Sequence, residues 1–181
     1  AILGFPTGTT SAKCVEAKNG AGIDDYSVML IKDFLVWSDP TTGVLVSVPP
    51  EYLAIGLFGM LSPEQGVGNK PVYGIVGTER TVARRPYTNS EISVLETAGI
   101  NFFTNPIPMG NMFGLRHDRN ASSDARVNGC NYGRMTNFIA KSIANALGRY
   151  IQMLQSTQVN DQLRSDARAT LSAFFSKLKA S

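Results

Sequence analysis

Residues 98–120 read AGINFFTNPIPMGNMFGLRHDRN, and a polar loop and a long amphipathic helix follow them. Two short apolar runs, 100–103 and 112–115, flank a segment that holds Pro106, Pro108 and Gly110. This pattern predicts two strands joined by a rigid loop, that is, a β-hairpin. The hairpin comprises Ile100, Asn101, Phe102, Phe103, Met112, Phe113, Gly114, Leu115 and Arg116. We expect the rest of the chain to be organised around it.

Two amphipathic helices are predicted after the polar loop of residues 119–131. The first extends to about Leu154, and its apolar residues recur every three or four positions, which keeps them on one face. They are Met135, Phe138, Ile139, Ile143, Ala146, Leu147, Tyr150, Ile151 and Leu154. In the second helix, which Asn160 is predicted to cap, the apolar stripe is Leu163, Ala167, Leu171, Phe174, Phe175 and Leu178. The opposite face of that helix holds Arg164, Arg168, Lys177 and Lys179.

The first half of the chain alternates between strand and helix signals. The strands are predicted over 2–6, 26–37, 44–48 and 72–76, and the helices over 11–18, 51–61 and 89–98. Residues 26–37 are apolar at both alternating positions, which is typical of a central strand covered on two faces. A turn over 38–43 then reverses the chain. We therefore predict a mixed α+β fold of the α/β class, with a mixed sheet flanked by helices.

Three local signals support these boundaries. Pro49 and Pro50 precede the helix at 51–61, and proline is favoured in the first helical turn. Thr88 and Glu91 have the spacing of a capping box, in which the side chain of each residue accepts a hydrogen bond from the main-chain amide of the other. Gly99 is placed to end that helix in the left-handed conformation. Residues 64–85 are rich in glycine and proline and are predicted to be mostly loop.

Composition limits the classes of protein to be considered. With 181 residues, 43% of them hydrophobic, the chain is long enough for one domain with its own core. The net charge of +3 comes from 17 basic and 14 acidic residues that are scattered along the chain, which does not favour nucleic-acid binding. Cys14 and Cys130 are not in a CxxC pattern, so we expect free thiols in a reducing compartment. No apolar run is long enough to span a membrane and no leader peptide is recognisable.

Motifs for catalysis or for binding of a metal or cofactor are weak. His117 is the only histidine, and no thiolate or carboxylate lies at a recognisable metal-ligand spacing from it. Arg116, His117 and Asp118 are adjacent on a predicted strand, where neighbouring side chains point to opposite sides and cannot form a proton relay. The sequence therefore predicts that the protein binds no metal and no cofactor and that it is not an enzyme. The alternative from another class is a small α/β hydrolase that acts through Asp118, His117 and a serine such as Ser122.

The order of several short motifs resembles the core of contractile tail sheath proteins, which build the sheaths of phage tails, R-type pyocins and related injection machines. The motifs in order are Asp39-Pro40 with Gly43, Val48-Pro49-Pro50, residues 54–56, Ala98-Gly99-Ile100-Asn101, Gly114 with Arg116, and then residues 133–150 and 160–178. They cover most of the chain. Each is short and physically generic, but their order and spacing together are fairly specific.

This resemblance implies a structural subunit that polymerises as stacked rings around an inner tail tube and contracts to drive the tube through the host envelope. Its implied partners are other sheath subunits, the tube, the baseplate and the tail terminator, without direct contact to nucleic acid or membrane. It implies a location in the virion tail after assembly in the bacterial cytoplasm. The hairpin at 100–116 would receive strand-forming arms of neighbouring subunits, and Arg164, Arg168, Lys177 and Lys179 would face acidic residues of the tube.

Two further expectations follow from the resemblance. Sheath proteins usually have an N-terminal arm, outer inserted domains and a C-terminal strand after the last helix. Since the chain begins at Ala1 and ends at Lys179-Ala180-Ser181, we expect residues 1–181 to be a single core domain from a longer protein. A non-contractile tail or baseplate protein with a similar scaffold is the second alternative.

Overall fold

A computed structural model describes residues 1–151, 153 and 157–180, with only the backbone of residues 157–160. The chain divides into two compact units, Ala1–Met135 and Thr136–Ser181. The described residues form seven strands and six helices. The strands are β1 (Ile2–Gly4), β2 (Met29–Lys32), β3 (Leu35–Ser38), β4 (Leu45–Val48), β5 (Ile75–Thr78), β6 (Ile100–Thr104) and β7 (Gly114–Leu115). The helices are α1 (Ser11–Gly20), α2 (Pro50–Met60), α3 (Glu79–Val82), α4 (Asn89–Thr97), α5 (Cys130–Gly148) and α6 (Thr157–Ala180).

The larger sheet of the first unit has the strand order β1-β2-β6-β7. β1, β2 and β6 are parallel, with Leu30 paired to Ile100, and β7 is antiparallel to β6. Successive residues of a strand point to opposite faces of the sheet. Accordingly, Ile31 and Phe103 join a core cluster with α2, whereas Leu30 and Phe102 join a second cluster with α1 and α4. The sheet is thus covered on both faces, and the predicted mixed α+β fold is confirmed.

The predicted strand at 26–37 is wrong in one respect, because it is two strands in two sheets. β2 ends at Lys32, and β3 begins at Leu35 in a three-stranded antiparallel sheet of order β4-β3-β5. Between them Asp33 has a φ of 68°, a left-handed conformation that Asp adopts more readily than most residues. This residue redirects the chain from one sheet to the other. The predicted turn and return strand are confirmed, since β3 and β4 pair as a hairpin.

The three local boundary signals are confirmed. α2 begins at Pro50, and the Thr88 side chain accepts a hydrogen bond from the amide of Glu91 in a complete capping box. Gly99 has a φ of 68°, and a Cβ there would lie 2.4 Å from the main-chain oxygen of Asn120. Glycine is therefore required both for the turn and for the close approach. The short helix α3 was not predicted, because its four residues lie in the glycine-rich segment expected to be loop.

Both long helices differ from prediction at their ends. α5 ends at Gly148, and Leu154, its predicted end, lies outside the described residues. α6 begins at Thr157, so the predicted cap Asn160 lies inside the helix rather than before it. In the second unit the Tyr150 hydroxyl lies 3.0 Å from that of Thr170. No residue of this unit whose side chain is described is fully buried, so its helices have only a partly enclosed apolar face.

Candidate assembly surfaces

The predicted hairpin exists, but most of its side chains belong to the core. Ile100, Asn101, Phe102, Phe103, Gly114 and Leu115 are all buried. Asn101 is held there by its amide, which donates to the main-chain oxygens of Leu30 and Arg119 at 3.0 and 2.6 Å. The residues with surface exposure are Met112, Phe113 and Arg116. Of the nine residues predicted for the hairpin, only these three have side chains that are accessible to another molecule.

The outer edge of β7 is occupied by the chain itself. The amide of Asn69 donates to the oxygen of Leu115, and the amide of Val72 donates to that of Phe113, both at 2.8 Å. A Cβ on Gly114 would lie 2.3 Å from the oxygen of Lys70, which shows how closely this segment approaches. The hairpin was expected to receive strand-forming arms, but its β7 edge is not open to them in this chain. Strand addition here requires displacement of residues 69–72.

The four basic residues predicted to face a tube are exposed on α6. At roughly 100° per residue, Arg164, Arg168 and Lys179 lie along one side of the helix, and Lys177 lies on the other side. Between the two sides is a face of mostly small exposed residues that includes Ser165 and Ser176. The exposed carboxylates of Asp161 and Asp166 lie at the two borders of this face. Phe175, predicted to belong to the apolar stripe, is instead exposed on the side that carries Arg168.

Charge is unevenly distributed between the two units. Residues 136–181 carry six basic and two acidic side chains, a net charge of +4, whereas residues 1–135 carry eleven basic and twelve acidic ones. The small net charge of the whole chain is therefore the sum of a nearly neutral first unit and a basic second unit. Such a surface attracts acidic partners over a distance of about 10 Å at moderate salt.

The hydrolase alternative is not assembled in this structure. His117 is buried, its Nδ1 lies 3.8 Å from Oε2 of Glu96, and its Nε2 has no hydrogen-bond partner. The Ser122 hydroxyl accepts a hydrogen bond from the amide of Asp124. The Asp118 carboxyl group is hydrogen-bonded to the Cys130 side chain and to the main chain of Val67. Among the described residues, no hydrogen bond joins His117 to Asp118 or to Ser122. This cluster therefore lacks the nucleophile and base pairing that hydrolysis needs.

The environment of His117 predicts a pH dependence of stability. Burial lowers the pKa of His117 below its ordinary value of 6.5, and the carboxylate of Glu96 opposes that shift only in part. The unfolded chain therefore binds a proton at higher pH than the folded chain does, so stability is lost as pH falls below about 6.5. We expect the melting temperature to fall more steeply between pH 7 and pH 5 in the wild type than in His117→Gln. Equal slopes would show that the folded protein does not disfavour the charged imidazole.

A cluster of charged side chains lies at the carboxyl end of β2. The Lys32 ammonium is 2.9 Å from Oδ1 of Asp33 and donates to the Tyr87 hydroxyl at 3.0 Å, and Tyr87 donates to Oδ2 of Asp33. Arg80 stacks on the Tyr87 ring at 4.3 Å and pairs with Glu91 at 2.6 Å. A cavity of about 250 Å³ lies beside these groups. Because the charges neutralise one another, the cluster serves primarily to join α3 and α4 to the sheet.

Several functional sites are absent from the described part of the chain. No group of three or more histidine, cysteine or acidic side chains is placed there to share a metal ion. No helix among these residues has both the length and the apolar character to cross a bilayer. Cys14 and Cys130 are free thiols in different core clusters.

Sequence reasoning missed Arg134. Its guanidinium donates to the main-chain oxygens of Phe58, Leu61 and Gln65 at 2.8, 2.6 and 3.2 Å. The last carbonyls of a helix have no partner within the helix, so Arg134 completes the end of α2 from the start of α5. An arginine inside an amphipathic helix gives no signal of such a role, because its acceptors lie about 70 residues away in the chain.

Solved structures resemble the chain over almost its whole length. It matches the contracted sheath of the extracellular contractile injection system PVC over 99% of its residues, at 13% identity and a TM-score of 0.78. The chain has the fold of contractile sheath subunits. The chain also matches a chain in the baseplate structure of the anti-feeding prophage over 97% of its residues, at 14% identity and a TM-score of 0.70. A sheath tail protein from Desulfitobacterium hafniense matches 97% of the chain at 14% identity and a TM-score of 0.61.

The chain spans less than half the length of these solved chains, with 48%, 44% and 37% of them covered. No protein-family model and no curated protein matches the sequence. The resemblance inferred from the motif order is thus confirmed at the level of the fold.

Proposed function

We propose that this protein is a structural subunit of a contractile phage-type tail sheath. Copies would polymerise as stacked rings around an inner tail tube, and contraction would drive the tube through the host envelope. The observation that carries this proposal is the match of 99% of the chain to a contractile sheath at a TM-score of 0.78. Its partners would be further copies, the tube, the baseplate and the tail terminator, in a virion tail assembled in the bacterial cytoplasm.

Contacts between subunits are proposed at the surface of the predicted hairpin. Met112, Phe113 and Arg116 supply two apolar groups and one charge there. The buried members of the hairpin would support these residues from within the core, and residues 69–72 would keep the edge of β7 closed in the free subunit. Subunits in an open stack contact one another through two different surfaces, so this contact needs a different patch on the neighbour.

The basic sides of α6 are proposed to face the inner tube. A face of mostly small residues, which allows another surface to approach closely, lies between Lys177 on one side and Lys179 with Arg168 on the other, and Arg164 lies farther round the helix. Exposed ion pairs contribute about 0–1 kcal/mol each, so a contact made of several such pairs holds an extended sheath yet can be released during contraction. The net charge of +4 on residues 136–181 supports an acidic partner.

Charge reversal tests this contact. We expect Arg168→Glu with Lys177→Glu to lower binding to the tube by roughly tenfold or more, because two attractions become repulsions. The measurement is co-sedimentation with tubes at low and high salt, and salt should weaken the wild type toward the variant. The matched control is Lys13→Glu with Lys141→Glu, which makes the same charge change at other exposed sites. Equal binding by both double variants would reject the assignment of α6 to the tube.

A baseplate role is the second candidate, because the chain also matches a structure described as the anti-feeding prophage baseplate. A baseplate component would form a closed ring of fixed size. A sheath subunit adds further layers as protein concentration rises, so the length distribution of the particles separates the two roles.

A further inference from the structure

The tip of the β3–β4 hairpin, residues 37–46, exposes an unusual amount of apolar surface. Val44 is 57% exposed, Leu45 62%, Val46 41% and Trp37 37%. Trp37 lies directly opposite Val46 across the two strands, and its indole packs beside Gly74. Tyr73, which precedes Gly74 in the chain, is 81% exposed. These side chains form an apolar tip at one end of the smaller sheet.

This tip has no protection against association. β4 is an outer strand of its sheet, and outer strands of soluble proteins usually carry charges or prolines that discourage contact. β4 reads LVSV and has neither. The only charge of the tip is Asp39, which accepts hydrogen bonds from the amide of Thr41 and the hydroxyl of Thr42 within the turn. Leu45 and Val46 point to opposite faces and both are exposed, so each face of β4 offers apolar surface.

A second exposed apolar surface lies on α2. Tyr52, Ile55 and Met60 are 68%, 57% and 82% exposed. Their spacing places them on one side of the helix together with Gly56 and Gly59. A Cβ at either glycine would meet nothing within 4 Å. The helix backbone is therefore accessible between the large side chains, and a protruding apolar element can approach it closely.

We infer that the hairpin tip of one copy docks on the exposed side of α2 of a second copy. This inference rests on the proposed assembly and identifies a contact within it. With roughly 150–250 Å² for each aromatic side chain and less for an aliphatic one, the five exposed residues of the tip present on the order of 500 Å². That area is comparable to the non-polar part of one side of a standard interface, which buries about 800 Å² per partner.

The chemistry of the two surfaces selects this occupant. The exposed side of α2 carries no charge, and the tip carries only Asp39, whose carboxylate is hydrogen-bonded within its own turn. The two surfaces therefore suit each other rather than an acidic tube, for which the basic residues of α6 are suited. Because the two surfaces are different patches of one chain, the contact is heterologous and can repeat from copy to copy without closing. An open stack of subunits requires such a contact.

Trp37 is the only tryptophan in the chain, so its fluorescence reports on the tip without any substitution. We expect its emission to shift to shorter wavelength, and its quenching by acrylamide to fall, at the protein concentration where sedimentation shows assembly. Val46→Lys and Ile55→Lys should each raise that concentration at least tenfold. The matched controls Val94→Lys and Val82→Lys alter other exposed valines and should change it less than twofold.

The possible outcomes distinguish a failure of this docking contact from a failure of the proposed sheath role. A wild type that stays monomeric at every concentration overturns both. Assembly without any change in Trp37 fluorescence overturns the docking inference alone, and so does normal assembly of the two lysine variants. A fluorescence change that requires added tube protein would assign the tip to another partner and would also overturn it.

Discussion

Replacement of Lys32 by methionine is expected to lower the free energy of unfolding by roughly 3–5 kcal/mol, because it leaves Asp33 buried without its charged partner. The two side chains are 1% and 5% exposed, and their charged atoms lie 2.9 Å apart. The Tyr87 hydroxyl would remain as a donor to Asp33. One neutral donor does not offset the lost ammonium in a site from which water is largely excluded. Urea denaturation at constant m measures the change.

The control for this prediction is the double variant Lys32→Met with Asp33→Asn. Asparagine keeps the tolerance for the left-handed backbone that position 33 requires, and it removes the unpaired charge. We expect the double variant to recover more than half of the lost stability. A loss below about 1 kcal/mol in the single variant, or a double variant less stable than the single one, would contradict a buried ion pair.

Replacement of Phe103 by alanine is expected to cost roughly 3–5 kcal/mol of stability, because it empties a fully enclosed site. Phe103 is 0% exposed and packs in the cluster formed by α2, β2 and β7. Met112, in the same hairpin, is 42% exposed, and Met112→Ala should change stability by less than about 0.5 kcal/mol. Chemical denaturation of the two variants tests this difference.

The comparison distinguishes a core hairpin from a surface hairpin. If Phe103→Ala folded with wild-type stability, the side chain would not be a core residue and the description of the larger sheet would be wrong. If Met112→Ala has wild-type stability but assembles poorly, this result supports the proposed contact between subunits at the surface of the hairpin.

Local chemistry explains which parts of the fold were predictable. The capping box at Thr88 and Glu91, the proline at the start of α2 and the glycine after α4 each satisfy a requirement within four or five residues of chain. The sequence therefore contained enough information for these boundaries. The apolar stretch 26–37 did not reveal its division, because β2 and β3 are each compatible with one continuous strand. Only the positive φ of Asp33 and the pairing with β5 or β6 separate them.

The assembly surfaces were harder to predict for a related reason. The closed edge of β7 depends on Asn69 and Val72, which come from a glycine-rich segment about 40 residues earlier. Residues 44–46 of the outward tip are as apolar as a buried strand, and their exposure depends on the position of β4 at the edge of a sheet. The basic residues of α6 were expected on a single face opposite the apolar stripe, which is wrong because Lys177 lies on a different side from Arg164, Arg168 and Lys179. Their division between two sides of the helix follows from its regular 100° rotation per residue.

Electron microscopy of the purified protein in negative stain is the most direct test of whether this chain assembles as a sheath subunit. We expect wild-type chains to form hollow tubes or stacked rings of uniform diameter without any added substrate or metal. The length of these particles should increase with protein concentration. Dispersed particles of monomer size at every concentration would contradict a sheath-type role for this chain.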